Sequence, residues 1–204
     1  MVKVTVYVEG GGRGRLATDC RKGFSEFFRK AGLVGHMPSV VACGSRVDAF
    51  DRFCIALSDA KSDEVPLLLV DSEGPVRSRW LAWQHMASPP DRWERPPNSR
   101  NEQAQIMVQC MESWFLGDVS ALESYFGPGF RSATIPQRND IERVPKVDVF
   151  EQLESASRGS KKRTYSKGRH SFDILARIDP EKVIRRSHFA KRLIDTLKSY
   201  LIPT

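Results

Sequence analysis

Metal-finger and disulfide frameworks are missing from this chain. Its four cysteines, Cys20, Cys43, Cys54 and Cys110, form no Cys-x-x-Cys pair and have no histidine at zinc-finger spacing. A structural zinc site or a disulfide scaffold is therefore not expected. Scattered thiols of this kind suit a reducing cytosol. No apolar run approaches the roughly 20 residues that a membrane helix needs, and the opening residues carry no signal-peptide pattern. The expectation is a soluble cytoplasmic protein with no membrane partner. No internal repeat is present, which excludes a solenoid. Hydrophobic residues are not scarce: at 40% of 204 residues they suffice for one sizeable domain, or a domain with an extension, and exclude global disorder.

Charge is unevenly spread. Residues 1–142 hold 17 Lys and Arg against 18 Asp and Glu, a net of −1, whereas residues 143–204 hold 15 against 7, a net of +8. The basic character belongs to the last third, and it points to a polyanionic partner, nucleic acid first among them. A solvated surface that only maintains solubility is the plainer alternative.

The first ordered stretch is Val2-Lys3-Val4-Thr5-Val6-Tyr7-Val8-Glu9, followed by Gly10-Gly11-Gly12. Valines alternate with Lys3, Thr5 and Tyr7, the period of a pleated strand built from β-branched and aromatic residues. The strand delivers Glu9 into a glycine turn, where a ligand can approach the backbone. A helix is predicted over Leu16 to Gly32 and a buried strand over Pro38 to Gly44. Ser45 reads as the cap of a helix running to Asp59, with Val47, Phe50, Phe53, Cys54 and Leu57 inward. Val65 to Asp71 is almost wholly apolar, as a central parallel strand should be. Alternating strands and helices indicate an α/β fold with a parallel sheet.

That third strand ends in Asp71-Ser72-Glu73-Gly74-Pro75. Strands pointing the same way bring Glu9 and Asp71 to one edge. Three converging carboxylates need a compensating cation or raised pKa values. Mg²⁺ (or Mn²⁺) suits hard oxygen ligands of this number, whereas the EF-hand spacing for Ca²⁺ is absent. Turn residues that cap the next helix are the plainer alternative.

Val8-Glu9-Gly10 after the first strand, with Asp71-Ser72-Glu73 after the third, resembles the Toprim domain of topoisomerases, primases and nucleases of the overcoming-lysogenization-defect type. The chain departs from that pattern by having Glu73 where the family has a second Asp. A second resemblance spans nearly the whole chain. Met107 to Asp118, including Glu112-Ser113-Trp114-Phe115-Leu116, together with Tyr165-Ser166-Lys167-Gly168, His170, Ile178-Asp179-Pro180 and Ser187-His188-Phe189, is similar to a small bacterial Toprim-like family catalogued as a domain of unknown function. The resemblance implies a four-stranded, mostly parallel Toprim-like (Rossmann-like) sheet flanked by helices. Residues 1–142 would form the catalytic core, and 143–204 a basic helical extension packed on it. It also implies an AAA- or ABC-type ATPase partner and a setting in bacterial antiviral defence.

Ile106 to Met111 is predicted to be a fourth strand entering a helix at Glu112, which brings Glu112 to the same edge as a further acidic ligand or as an ordinary first-turn glutamate. Trp114, Phe115 and Leu116 read as core, and Asp118 as the cap of a helix through Leu122 and Phe126. The stretch from Arg77 to Arg100, with Trp80, Trp83 and Trp93, is read as a grip for a nucleic-acid strand; its first part, Val76 to Met86, has a helical reading that would bury two of those tryptophans. His85 has a proton-transfer role open to it, although a lone histidine is more often structural. Arg158 to His170 is the densest basic run. Lys161, Lys162, Lys167 and His170, with Arg13 and Arg15 from the glycine turn, are the candidate nucleic-acid contacts. Helices follow over Val147–Ala156, Asp173–Ile178, Pro180–Ile184 and His188–Leu201. The expected activity is metal-dependent phosphodiester cleavage of DNA or RNA. In it Asp71 and Glu73 hold metal, Glu9 holds metal or acts as a base, and Glu112 completes the site. A non-catalytic nucleic-acid-binding or ATPase-partner subunit is the alternative, and a homo-oligomer stays open.

Overall fold

The computed structural model describes residues 2–77 and 80–202. Among these residues, strands β1 (Lys3–Glu9), β2 (Ser39–Gly44), β3 (Glu64–Asp71) and β4 (Ala104–Met107) form one sheet in the order β2-β1-β3-β4, every pair parallel. The arrangement is Rossmann-like. The chain passes from β1 to β2 on one side and then crosses to β3 on the other. A crevice therefore opens at the carboxyl ends of β1 and β3, where such sheets take ligands. Val8 pairs with Leu69, so Glu9 and Asp71 reach the same edge.

Strand alternation sorts the two faces. Val4, Val6 and Val8 of β1 and Val65, Leu67 and Leu69 of β3 turn toward α1 (Gly14–Phe28), whose Phe24, Phe27 and Phe28 are fully buried. Leu68 and Val70, with Ala104 and Ile106 of β4, face Ala49 and Phe53 of α2 (Arg46–Asp59) and Trp83 and Met86 of α3 (Ala82–Met86). Ser45 and Asp48 form a reciprocal capping box at the start of α2, a feature worth about 1 kcal/mol. The remaining helices are α4 (Val119–Phe126), α5 (Lys146–Ser157), α6 (Lys167–Leu175), α7 (Pro180–Ile184) and α8 (His188–Leu201). They close over the first face, and a single buried cluster runs from Val4 to Leu201. Among the described residues, no helix is long and apolar enough to cross a membrane.

Several boundaries differ from the sequence expectation, each for a physical reason. β2 is an edge strand and only partly buried. Val47, at the first turn of α2, is 57% exposed rather than inward. β4 ends at Met107, because the chain leaves the sheet to form a 3-10 turn over Met111–Gly117. α6 begins at Lys167, six residues earlier than its apolar content suggested, and absorbs the end of the basic run. Helix in the Val76–Met86 stretch is confined to Ala82–Met86; Ser78 and Arg79 lie outside the described residues. α1 continues through a π-type turn, Arg29–Leu33, where Gly32 takes φ 92° as a stop.

Candidate metal centre

Glu9 and Asp71 are joined directly. The Asp71 backbone N–H donates to Glu9 Oε2 at 3.0 Å. Asp71 is 2% exposed, and its Oδ1 accepts the Met111 N–H at 2.8 Å. Burial, reinforced by the charges of Glu9 and Glu112, pushes the Asp71 carboxyl up to about 8, against the opposing pull of Lys167 and Lys146. Glu9 is also raised, chiefly by burial. A group held this far from its ordinary value inside a cleft is what a reacting or ligand-binding site looks like.

Glu73 follows after one residue and takes φ 63°, a left-handed conformation unusual outside glycine, costing on the order of 1 kcal/mol. Surrounding bonds hold it there. The Glu73 N–H donates to Gln109 O at 3.0 Å and the Ser72 N–H to Met107 O at 2.9 Å. His85 Nε2 donates to Ser72 O at 2.7 Å, so this histidine anchors the turn. The result is that Glu9, Asp71 and Glu73 each offer a carboxylate oxygen, all within 4.8 Å of one another.

Glu112 enters from the 3-10 turn and is fully buried. Tyr165 Oη donates to its Oε1 at 3.1 Å, while Oε2 has no hydrogen-bond partner. Burial and the Glu112 carboxylate raise the Tyr165 pKa, so the phenol stays a donor. Lys167 Nζ lies 3.9 Å from Glu112 Oε2 and 3.7 Å from Asp71 Oδ2. Burial pulls the Lys167 pKa down, but Glu112, Asp71 and Glu9 more than offset it, and the ammonium persists.

Two cations that sequence reasoning missed complete the surroundings. Lys146 Nζ binds both Glu73 oxygens, at 2.8 and 2.7 Å. Arg46 hydrogen-bonds Asp71 O, lies 3.8 Å from Glu9 Oε2, and is clamped by Asp91 at 2.9 and 2.5 Å. Its guanidinium sits 4.9 Å above the Trp93 ring, which stacks on Phe50 at 4.3 Å. Trp93 therefore supports Arg46 rather than presenting a free stacking face. Arg46, Lys146 and Lys167 are each the first residue of a helix, α2, α5 and α6. The helix dipole disfavours a cation there, and carboxylates compensate in each case: Asp91 and Glu9 for Arg46, Glu73 and Asp71 for Lys146, and the buried Asp71 and Glu112 for Lys167. A basic residue in that position is the signal that would have found Arg46 and Lys146.

A cavity of about 570 Å³ opens beside the carboxylates, between the Gly10–Arg13 turn, the start of α2 and the start of α6. Gly11 takes φ 81°, and a Cβ there would meet Cys20 and Ala42 at under 3 Å, so the turn packs only as glycine. Cys43 lines this cavity, but burial pushes its thiol up to about 11 and keeps it protonated. All four cysteines are free.

The other candidates fall in different places. Arg13 lines the cavity. Arg15 points outward, 94% exposed and 3.6 Å from Asp19. Lys162 lies over the Tyr125 ring at 4.1 Å, and Lys161 bonds Pro128 through its backbone; both are exposed on the turn after α5. His170 is buried at 3% exposure, its Nδ1 accepting the Ser166 N–H at 3.0 Å among Tyr125, Phe126 and Tyr165. It shapes the start of α6 and offers no surface to nucleic acid. Asp118 caps α4 and pairs with Lys182 at 2.7 Å, a structural post. Trp83 and Trp114 are core.

No curated protein and no solved structure matches the chain. The sequence profile of DUF4276, a domain of unknown function, matches residues 8–198, and the chain belongs to that family.

Proposed function

We propose that this DUF4276 member is a divalent-metal-dependent nuclease of the Toprim kind, hydrolysing phosphodiester bonds of DNA or RNA. The observation that carries the reading is the convergence of Glu9, Asp71 and Glu73 within 4.8 Å at the switch point between β1 and β3. The donors fit Mg²⁺ or Mn²⁺: all are hard oxygens, and the buried Glu112 Oε2, with Lys167 at 3.9 Å but no hydrogen bond, is an atom that a cation would satisfy. When bound, such an ion polarises phosphoryl oxygens and activates water.

The remaining roles belong to the chain. Lys167, facing Asp71 and Glu112, neutralises charge on the phosphate. Tyr165 fixes the Glu112 carboxylate. Arg46 steadies Glu9 and the end of β3. Where Asp71 and Glu73 hold the ion, Glu9 accepts the proton of the attacking water as the new P–O bond forms and the ester P–O bond breaks; the leaving oxygen takes a proton from solvent. Arg13 and the uncapped start of α1 add positive potential along the cavity. The Toprim kinship rests on the same residues, Glu9-Gly10 and Asp71-Ser72-Glu73, with Glu73 in place of the second Asp. An AAA- or ABC-type ATPase partner and a role in bacterial antiviral defence complete the reading.

A second reading draws on the Glu73–Lys146 pair: with both Glu73 oxygens already held by an ammonium, the chain would bind nucleic acid or an ATPase without cleaving. Cleavage of plasmid, linear duplex, single-stranded DNA and tRNA, with Mg²⁺, Mn²⁺ or EDTA, separates the two. Metal-dependent cleavage lost in an Asp71→Asn variant supports the nuclease. No cleavage with any metal or a co-purified ATPase favours the binding subunit.

A further inference from the structure

We propose that Lys146 is an internal competitor for the divalent cation, so that metal capture requires its ammonium to leave Glu73. The inference rests on the metal-site reading above. Lys146 Nζ touches both oxygens of Glu73 and lies 4.0 Å from Asp71 Oδ2. It therefore lies across the gap between two of the three converging carboxylates. Lys167 relates to the site differently: at 3.7 and 3.9 Å from its carboxylates it supplies field without a hydrogen bond.

The competing pair is built in. Gln109 holds both backbones, accepting the Glu73 N–H on its carbonyl and the Lys146 N–H on its Oε1 at 3.0 Å. The start of α5 and the turn after β3 therefore stay in register while the lysine side chain remains the movable part. That side chain is 26% exposed and has a flexible four-carbon stem, so its ammonium can swing to water when a doubly charged ion arrives. Lys146 then acts on the metal through Glu73, as a positioning residue that sets the concentration at which the site fills. The buried Glu112 Oε2, which has Lys167 at 3.9 Å but no hydrogen-bond partner, is an independent sign that this cluster has room for a further cation.

Mn²⁺ affinity, read by electron paramagnetic resonance or calorimetry, tests this in wild type, Lys146→Met, Lys146→Arg, Glu73→Gln and the double variant Glu73→Gln/Lys146→Met. Lys146→Met is expected to bind Mn²⁺ about three- to tenfold more tightly than wild type, the order that a partly exposed ion pair commands. Lys146→Arg should bind no more tightly than wild type. The gain should vanish in the Glu73→Gln background. Melting curves establish that each variant is folded; a merely structural lysine would weaken binding when removed. Wild-type binding with no gain in Lys146→Met overturns the inference alone. A gain that persists without Glu73 also overturns it, by reducing Lys146 to a general charge. Absence of Mn²⁺ binding in all five proteins overturns the metal reading with it.

Discussion

The two ends of the sheet differ in a way that volume hides. The larger cavity, about 890 Å³, lies toward the amino ends of β1 and β3, beside Lys3, Met37, Ile55 and Glu64. Its charged side chains are solvated: Lys3 is 68% exposed, with loose partners at 3.9 and 4.0 Å. The smaller cavity, at the carboxyl ends, is lined by Glu9 and by Asp71, which is almost inaccessible to water. Near it the backbone adopts a left-handed glutamate. Stability alone would favour apolar residues in such positions. Buried, convergent and incompletely paired charge, rather than space, is why the proposed function is assigned to the carboxyl end.

Asp71→Asn should break this asymmetry most. The amide keeps the shape and can still accept the Met111 N–H, so the fold survives, while metal-dependent cleavage should fall by about 10²- to 10³-fold. Ile55→Ser in the larger cavity, at a residue 63% exposed, should leave the rate within about twofold. Comparable losses in the two variants, measured as initial rates, would dissolve the distinction between the ends.

Glu112→Gln should come next. Its Oε1 can still accept from Tyr165, but the carboxylate charge is gone; cleavage should fall by about 10- to 100-fold, and the rise in melting temperature on adding Mg²⁺ should shrink. A full-sized Mg²⁺ shift in the variant would show that Glu112 does not face the ion.

The third effect depends on pH. The folded Asp71 keeps its proton up to about pH 8, whereas an unfolded Asp loses it near 4. Between those values the folded state binds more protons, so metal-free stability should decline as pH rises from about 4 to 8. Protons cease to compete with the ion over the same window, so stabilisation by Mg²⁺ should grow with pH. Melting curves at about pH 5.5 and 8 with EDTA or Mg²⁺ check both signs; an Mg²⁺ shift larger at the lower pH would contradict them.

Ser187→Ala should show the smallest effect. It removes the cap of α8 and a bond to Glu142 at 2.6 Å, costing about 1 kcal/mol and leaving cleavage unchanged. Denaturant unfolding and the cleavage assay measure the two halves of that expectation.

The centre of the sheet was legible because β1 and β3 each carried their own signal. Alternating valines define β1, an unbroken apolar run defines β3, and Ser45 and Pro180 mark starts for α2 and α7. Glu9, Asp71 and Glu73 followed because parallel strands end on one edge. Glu112, expected from its place after the fourth strand, and Lys167, suggested by resemblance, also reach the cluster. Lys146 and Arg46 were hidden because a basic residue at a helix start reads as surface when its partner lies 73 or 25 residues away. His170 misled for the converse reason: read inside a basic loop it looked exposed, but α6 places it on the same buried side as Ile174. β4 was misplaced because Val108 and Cys110 are as buried as strand residues without pairing as such.

The cluster that joins Val4 to Leu201 also sets an order of events during synthesis. A nascent chain extended through β4 and its 3-10 turn already carries Glu9, Asp71, Glu73 and Glu112. It still lacks Lys146, Tyr165 and Lys167, and the helices α4 to α8 that complete the cluster begun by α1. Through that interval the carboxylates have the Arg46 guanidinium beside Glu9 but lack both ammonium partners. The site gains its two ammonium counter-charges only when α5 and α6 dock, so the last-made part of the molecule completes what Arg46 of α2 begins.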